Sequence, residues 1–128
     1  MVRKEGVSLS RFELEIMQIL WDRGESSVRE VQEAIQERKR PAYTTVQTIF
    51  ARLEEKMAVR RTRKIGNACL FEPAISRRSV YRRIIDDFLD LFGGSARPVV
   101  ARLLETGKLT LEDLEVLEEI QKKKGRRR

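Results

Sequence analysis

Residues 43–73 read YTTVQTIFARLEEKMAVRRTRKIGNACLFEP, and the period of the pattern changes part-way along. Val46, Ile49, Phe50, Leu53 and Met57 fall within about 100° of one another on a wheel of 3.6 residues per turn. That stripe predicts an amphipathic helix over about 43–57. Thr44, Thr48, Ala51, Arg52 and Glu55 face the other way, with Thr45 and Gln47 on the flanks. The outward face is short-chained, polar and uncharged near its start. After Met57 the pattern becomes extended: β-branched and apolar residues from Val59 to Ile65 and from Ala68 to Phe71 surround the pair Gly66-Asn67, a hairpin signal. Pro73 closes the second strand.

Two more helices are legible upstream. Ser10 to Glu13 has capping-box spacing, in which a hydroxyl caps the first turn and the acid reaches back. Phe12, Ile16, Ile19 and Leu20 follow at helical intervals, Met17 and Trp21 widen the stripe, and Gly24 ends it, placing the first helix at about 10–23. Ser27-Val28-Arg29-Glu30 is a second capping box; Val28, Val31, Ala34 and Ile35 form the stripe of a helix over about 27–37. Pro41 biases Arg40 away from helical angles and sets a boundary there. With a short extended link near Ser26, the order is helix, link, helix, helix, basic hairpin. The expected fold is mainly α with a small β-hairpin, a winged helix-turn-helix domain over 8–75.

Residues 76–121 predict an accessory helical segment. Its fourth helix carries Tyr81, Ile84, Ile85, Phe88, Leu89 and Phe92, broadened by Val80 and Leu91; Gly93-Gly94-Ser95 breaks it. Ser95 caps a fifth helix, with Pro98 tolerated in its first turn. Gly107 interrupts again before a sixth helix with Leu111, Leu114, Leu117 and Ile120. Three short helices cannot enclose a core of their own. They pack either back onto the N-terminal domain or against a second copy, and the broad apolar arc of the fourth helix favours the copy. The interface expected from this stripe reasoning comprises Val80, Tyr81, Ile84, Ile85, Phe88, Leu91, Val100, Leu103, Leu104, Leu111, Leu114 and Leu117. The tail KKKGRRR, 122–128, is expected to be disordered.

Charge is segregated along these 128 residues. Residues 1–37 carry net −3, 38–71 net +7, 72–121 net −3 and the tail net +6. A 34-residue cationic window between acidic flanks, holding both the third helix and the hairpin, is what a polyanion footprint looks like. Histidine is absent and Cys69 is the one cysteine, so no Ser-His-Asp or Cys-His arrangement, zinc site or intrachain disulfide can be assembled. Asp86 and Asp87 are adjacent on a helix and diverge by about 100°, which is poor geometry for paired acid-base chemistry. No catalytic residue, metal or cofactor is expected. No run approaches the ~18 apolar residues of a membrane span. The N-terminal stretch has acids among its apolar residues and no small-residue cleavage site, so a secretory leader is not expected. A single thiol fits a cytoplasmic setting. Cys69 reads as a packing residue, and Trp21 as core or joint packing.

Thr, Gln and Arg at the start of a helix face are the residue types that address major-groove edges: Gln pairs with adenine, Arg with guanine, and a Thr methyl packs on thymine. Thr44, Thr45, Gln47 and Thr48 are therefore candidate base contacts, with Arg52 a turn later on a phosphate. Arg60, Arg61, Arg63 and Lys64 share one strand, and alternation divides them between two faces. Arg63, Lys64 and Asn67 at the tip are candidate backbone contacts, as is Arg11. The rival reading is a winged-helix scaffold whose basic face meets an acidic protein.

The whole pattern resembles the penicillinase-repressor family (BlaI/MecI/CopY type). The residues that carry the likeness are Leu9-Ser10, Glu13, Ile16-Met17 and Ile19-Leu20-Trp21; then Thr45-Val46-Gln47-Thr48, Arg52-Leu53 and Lys56; then Gly66-Asn67-Ala68 to Phe71 and Pro73; and Phe88-Leu89-Asp90 through Phe92 to Ser95, over about residues 8–121. The resemblance implies a cytoplasmic, homodimeric bacterial repressor bound to a pseudo-palindromic operator in double-stranded DNA, nucleoid-associated when bound. The third helix would lie in the major groove, with the C-terminal helices forming the dimer. Three positions depart from the family. Met57 stands where a glycine usually follows the recognition helix. Arg102-Leu103 replaces the Asn-Phe pair at which the best-known members are cleaved, which argues against relief by a β-lactam-sensing protease. The cysteine cluster of the copper-responsive branch is missing. The inducing protease or ligand is left open.

Overall fold

The computed structural model describes residues 7–126. The elements in order are α1 (Arg11–Arg23), β1 (Ser26–Ser27), α2 (Val28–Ala34), a 3₁₀ turn (Glu37–Lys39), α3 (Tyr43–Glu55), β2 (Val59–Ile65), β3 (Ala68–Pro73), α4 (Arg77–Asp90), α5 (Arg97–Glu105) and α6 (Leu111–Arg126). The chain divides into two compact units, one ending at Asp86 and the other beginning at Asp87. The boundary falls inside α4, eleven residues beyond the expected division at 75, because α4 begins as part of the first unit.

Both capping boxes form. Ser10 Oγ accepts from the Glu13 amide at 3.2 Å while Glu13 Oε1 accepts from the Ser10 amide at 2.8 Å. Ser27 and Glu30 repeat the exchange at 3.1 and 2.9 Å. The first unit closes around Ile16, Met17 and Leu20 of α1, Val31 of α2, Val46, Ile49, Phe50 and Leu53 of α3, Ala58, Val59, and Phe71 of β3. The Phe50 and Phe71 rings lie 4.8 Å apart between centroids, joining α3 to the sheet. The three-stranded antiparallel sheet has the order β1-β3-β2, with Ser26 opposite Phe71 and Ile65 opposite Ala68.

Four expectations are corrected. The second helix ends at Ala34 rather than near residue 37, because the Arg40 guanidinium turns back onto the carbonyls of Glu33 (2.8 Å) and Ile35 (3.0 Å), and a 3₁₀ turn follows. Met57 does not belong to the core stripe. It is 77% exposed with φ 62°, and the Ala58 amide reaches the Leu53 carbonyl at 2.8 Å while the Met57 amide reaches Glu54 at 3.0 Å. That pair of bonds is the Schellman ending, with Met57 in the left-handed place that glycine usually takes. α5 is entered at Ala96, which makes no side-chain cap; Ser95 Oγ instead accepts from the Arg97 amide at 3.3 Å. The basic tail is helical as far as Arg126, since α6 continues through Lys122–Lys124; the rest of that expected tail, 127 and 128, lies outside the described residues. No helix among the described residues is long and apolar enough to cross a membrane.

Candidate nucleic-acid interface

Burial of Val46, Ile49, Phe50 and Leu53 turns the other side of α3 outward. Thr44, Thr45, Gln47, Thr48 and Arg52 are all exposed. Thr48 Oγ1 donates to the Thr44 carbonyl at 3.0 Å, which satisfies the hydroxyl proton within the helix and leaves the oxygen free to accept. The face is therefore uncharged over its first two turns, with Arg52 beyond it.

The hairpin stands beside this face. Its two-residue loop has Gly66 at φ 61°, with Asn67 not in the positive-φ region. That is the II′ pattern, which matches strand twist and requires glycine at the first loop position. A groove of about 270 Å³ runs between α2, α3 and the wing, bordered by Arg29, Tyr43 and Gln47 on one side and Asn67 and Ala68 on the other. Gln47 of the exposed α3 face and Asn67 of the hairpin tip thus border one depression. Sequence reasoning missed Arg29. Its guanidinium lies 4.4 Å from the centroid of the Tyr43 ring, a pairing across fourteen residues that no local spacing signals. Cys69 is half-buried, its Sγ 3.6 Å from Arg61 Nη1.

The cationic window is less bare than its charge count. Arg60 pairs with Glu72 at 2.6 Å, Arg61 with Glu54 at 2.8 Å, Arg63 with Glu25 at 2.9 Å and Lys56 with Glu13 at 2.7 Å. Three of these carboxylates come from outside residues 38–71. Arg40 is spent on backbone carbonyls. Among the described residues, Arg38, Lys39, Arg52 and Lys64 make no ion pair, and neither does Arg11 at the start of α1. Strict alternation also fails in β2: Arg61 pairs with Phe71 but Lys64 with Cys69, so β2 carries one extra residue between them, a bulge that shifts the facing of the later strand residues. The neighbouring Thr62 hydroxyl and the Arg63 guanidinium hold the Glu25 carboxyl below its ordinary pKa against an opposing effect of burial, and the Arg63–Glu25 pair ties the wing to the α1–α2 link. Exposed pairs of this kind contribute little to stability.

The residues expected at a dimer interface separate into two sets. Val80 is fully buried within the first unit and is not available to a second copy. Tyr81 is engaged by the same unit: its hydroxyl accepts from Gln18 at 3.3 Å and its ring meets Trp21 edge-on at 6.2 Å. Trp21 Nε1 donates to the Ile75 carbonyl at 3.0 Å and Arg77 pairs with Asp22 at 2.6 Å, so Trp21 is joint packing. Ile84, Val100 and Leu103 are half-buried, while Ile85, Phe88, Leu91, Leu104, Leu111, Leu114 and Leu117 are exposed. No side chain described from 87 onward is buried, so the second unit has no interior of its own.

Residues 9–123 match the family described as penicillinase repressor. The chain belongs to that family. A penicillinase repressor from Staphylococcus aureus is 26% identical over 115 residues, 89% of this chain and 90% of its relative. The solution structure of the DNA-binding domain of the repressor BlaI matches with a TM-score of 0.50 at 25% identity, over 62% of this chain and 93% of that domain. The crystal structure of the YusO protein from Bacillus subtilis shares the fold with a TM-score of 0.50 at 20% identity, covering 92% of this chain and 75% of the other. Met57, where the resemblance leads one to expect glycine, takes the left-handed position after α3. At the departing pair, Arg102 is exposed and 3.3 Å from Glu105, and Leu103 is half-buried.

Proposed function

We propose that this protein is a cytoplasmic DNA-binding transcriptional repressor that binds a pseudo-palindromic operator as a homodimer. The observation that carries this reading is that Gln47, on the exposed face it shares with Thr44, Thr45 and Thr48, borders one groove with Asn67 at the wing tip. In this reading the start of α3 enters the major groove, where Gln47 and the threonine methyls meet base edges. Arg52, Lys64, Asn67 and Arg11 meet the backbone, and Arg63 joins them only by leaving Glu25. Membership of the penicillinase repressor family and the likeness to the BlaI DNA-binding domain support it.

A second copy is called for by the exposed Phe88, Leu91, Leu111, Leu114 and Leu117 of a unit without an interior. The half-buried Ile84, Val100 and Leu103 would complete that interface. Two heads would then reach successive major grooves, about 34 Å apart along the duplex. An uncharged threonine-glutamine face suits base edges better than an acidic protein, which disfavours the scaffold reading.

Selection of bound duplexes from a random pool tests the proposal. A twofold-symmetric consensus whose preference shifts in Gln47→Ala is the expected result; enrichment of no sequence would sink it.

A further inference from the structure

We propose that Arg29, stacked on Tyr43, is a preset phosphate clamp on the DNA face; this rests on the DNA-binding reading above. Arg29 stands on α2, outside the cationic window, yet its guanidinium is held 4.4 Å from the Tyr43 ring centroid at the edge of the groove between α3 and the wing. Its one hydrogen-bond partner among the described residues is Gln32 Oε1, at a long 3.5 Å. Arg61, which borders the same groove, is neutralised by Glu54; among the described residues Arg29 makes no ion pair. A guanidinium lying over an aromatic ring keeps its edge donors unspent and its orientation restricted. Fixed donors without a counter-charge, flanking the Gln47 face rather than lying on it, suit a phosphate oxygen of the strand that borders the bases α3 reads. Tyr43 is then a positioning residue: it holds the charge without contributing any.

The test measures affinity against salt for a duplex selected by the wild-type chain and for a mixed-sequence duplex of equal length. Arg29→Ala is expected to weaken both by a similar factor, about tenfold, and to flatten the log–log salt slope by about 0.9 for each head engaged. Tyr43→Ala is expected to lose part of that affinity with the slope unchanged, and Tyr43→Phe to restore it. Arg29→Lys is expected to keep the slope while losing affinity, because the charge survives and the planar stack does not. Arg29→Ala binding like wild type with an unchanged slope overturns the clamp and leaves the DNA-binding reading standing. A loss confined to the selected duplex, with a changed consensus, also overturns it, since Arg29 would then be reading a base. Failure of the wild-type chain to retain either duplex overturns the underlying reading and this inference together.

Discussion

The Lys56 ammonium lies 2.7 Å from Glu13 Oε1, which joins the end of α3 to the first turn of α1 across forty-three residues. The same ammonium donates to the Ser8 carbonyl at 3.0 Å. Glu13 is nearly buried, and its other oxygen, Oε2, has no hydrogen-bond partner among the described residues. Burial pushes the Glu13 carboxyl up, but Lys56 and the Ser10 hydrogen bonds together outweigh it and hold its pKa below the ordinary value.

That sign fixes a pH dependence. A depressed carboxyl contributes stability above the ordinary glutamate pKa of about 4.3 and loses it as pH falls through the folded value. Glu13→Gln is expected to cost about 1–2 kcal/mol at pH 7, less than a fully buried pair because Lys56 reaches solvent. Urea unfolding of both proteins at pH 7 and about pH 3 checks this. A gap that fails to narrow in acid would refute it.

Met57 holds a left-handed backbone with its side chain in solvent. Left-handed geometry costs an L-residue about 1–2 kcal/mol, and part of the gain from glycine is returned through its freer unfolded chain. Met57→Gly is therefore expected to stabilise by about 0.5–1 kcal/mol, and Met57→Val to destabilise. Denaturation midpoints decide it; an unchanged or lowered midpoint for the glycine variant counts against the Schellman account.

Ion pairing divides the wing cations. Lys64→Gln is expected to flatten the salt dependence of duplex binding by about 0.9 per head. The double change Arg63→Gln with Glu25→Gln is expected to leave the slope unaltered, because that pair carries no net charge. A slope lowered equally by both would mean that Arg63 leaves Glu25 for the DNA.

Leu117 lies exposed on α6, in the unit without an interior. Leu117→Glu is expected to shift the sedimenting mass from about twice the 15.0 kDa of one chain towards one chain. Duplex affinity should fall by about 10²–10⁴ through lost avidity, while the helical circular dichroism of the first unit persists. A variant that still sediments as a dimer would remove Leu117 from the interface.

The helices of the first unit were readable because their causes are local. Ser10 with Glu13 and Ser27 with Glu30 are capping boxes set by a three-residue spacing. The α3 stripe is a periodicity, and Gly66-Asn67 is a loop whose type follows from one glycine. The exposed face of Thr44, Thr45, Gln47 and Thr48 followed from the same periodicity, since burying one side of a helix exposes the other. Met57 misled that logic: its position on the wheel is apolar, but the helix had already stopped two residues earlier at Glu55.

Pairing between distant residues was invisible to spacing. Glu25 neutralises Arg63, Glu13 neutralises Lys56, and Tyr43 receives Arg29, each through contacts made only once the chain has folded back on itself. The bulge between Arg61 and Lys64 depends on which residue of β3 each one meets. Val80 looked like interface because a stripe records that a side chain must be covered but not by what. Helix order, turn type and recognition face are therefore written in runs of a few residues. Which cations stay uncompensated, and which apolar groups still need a partner, depends on long-range distances, and electrostatic and packing energies depend on distance in space rather than in sequence.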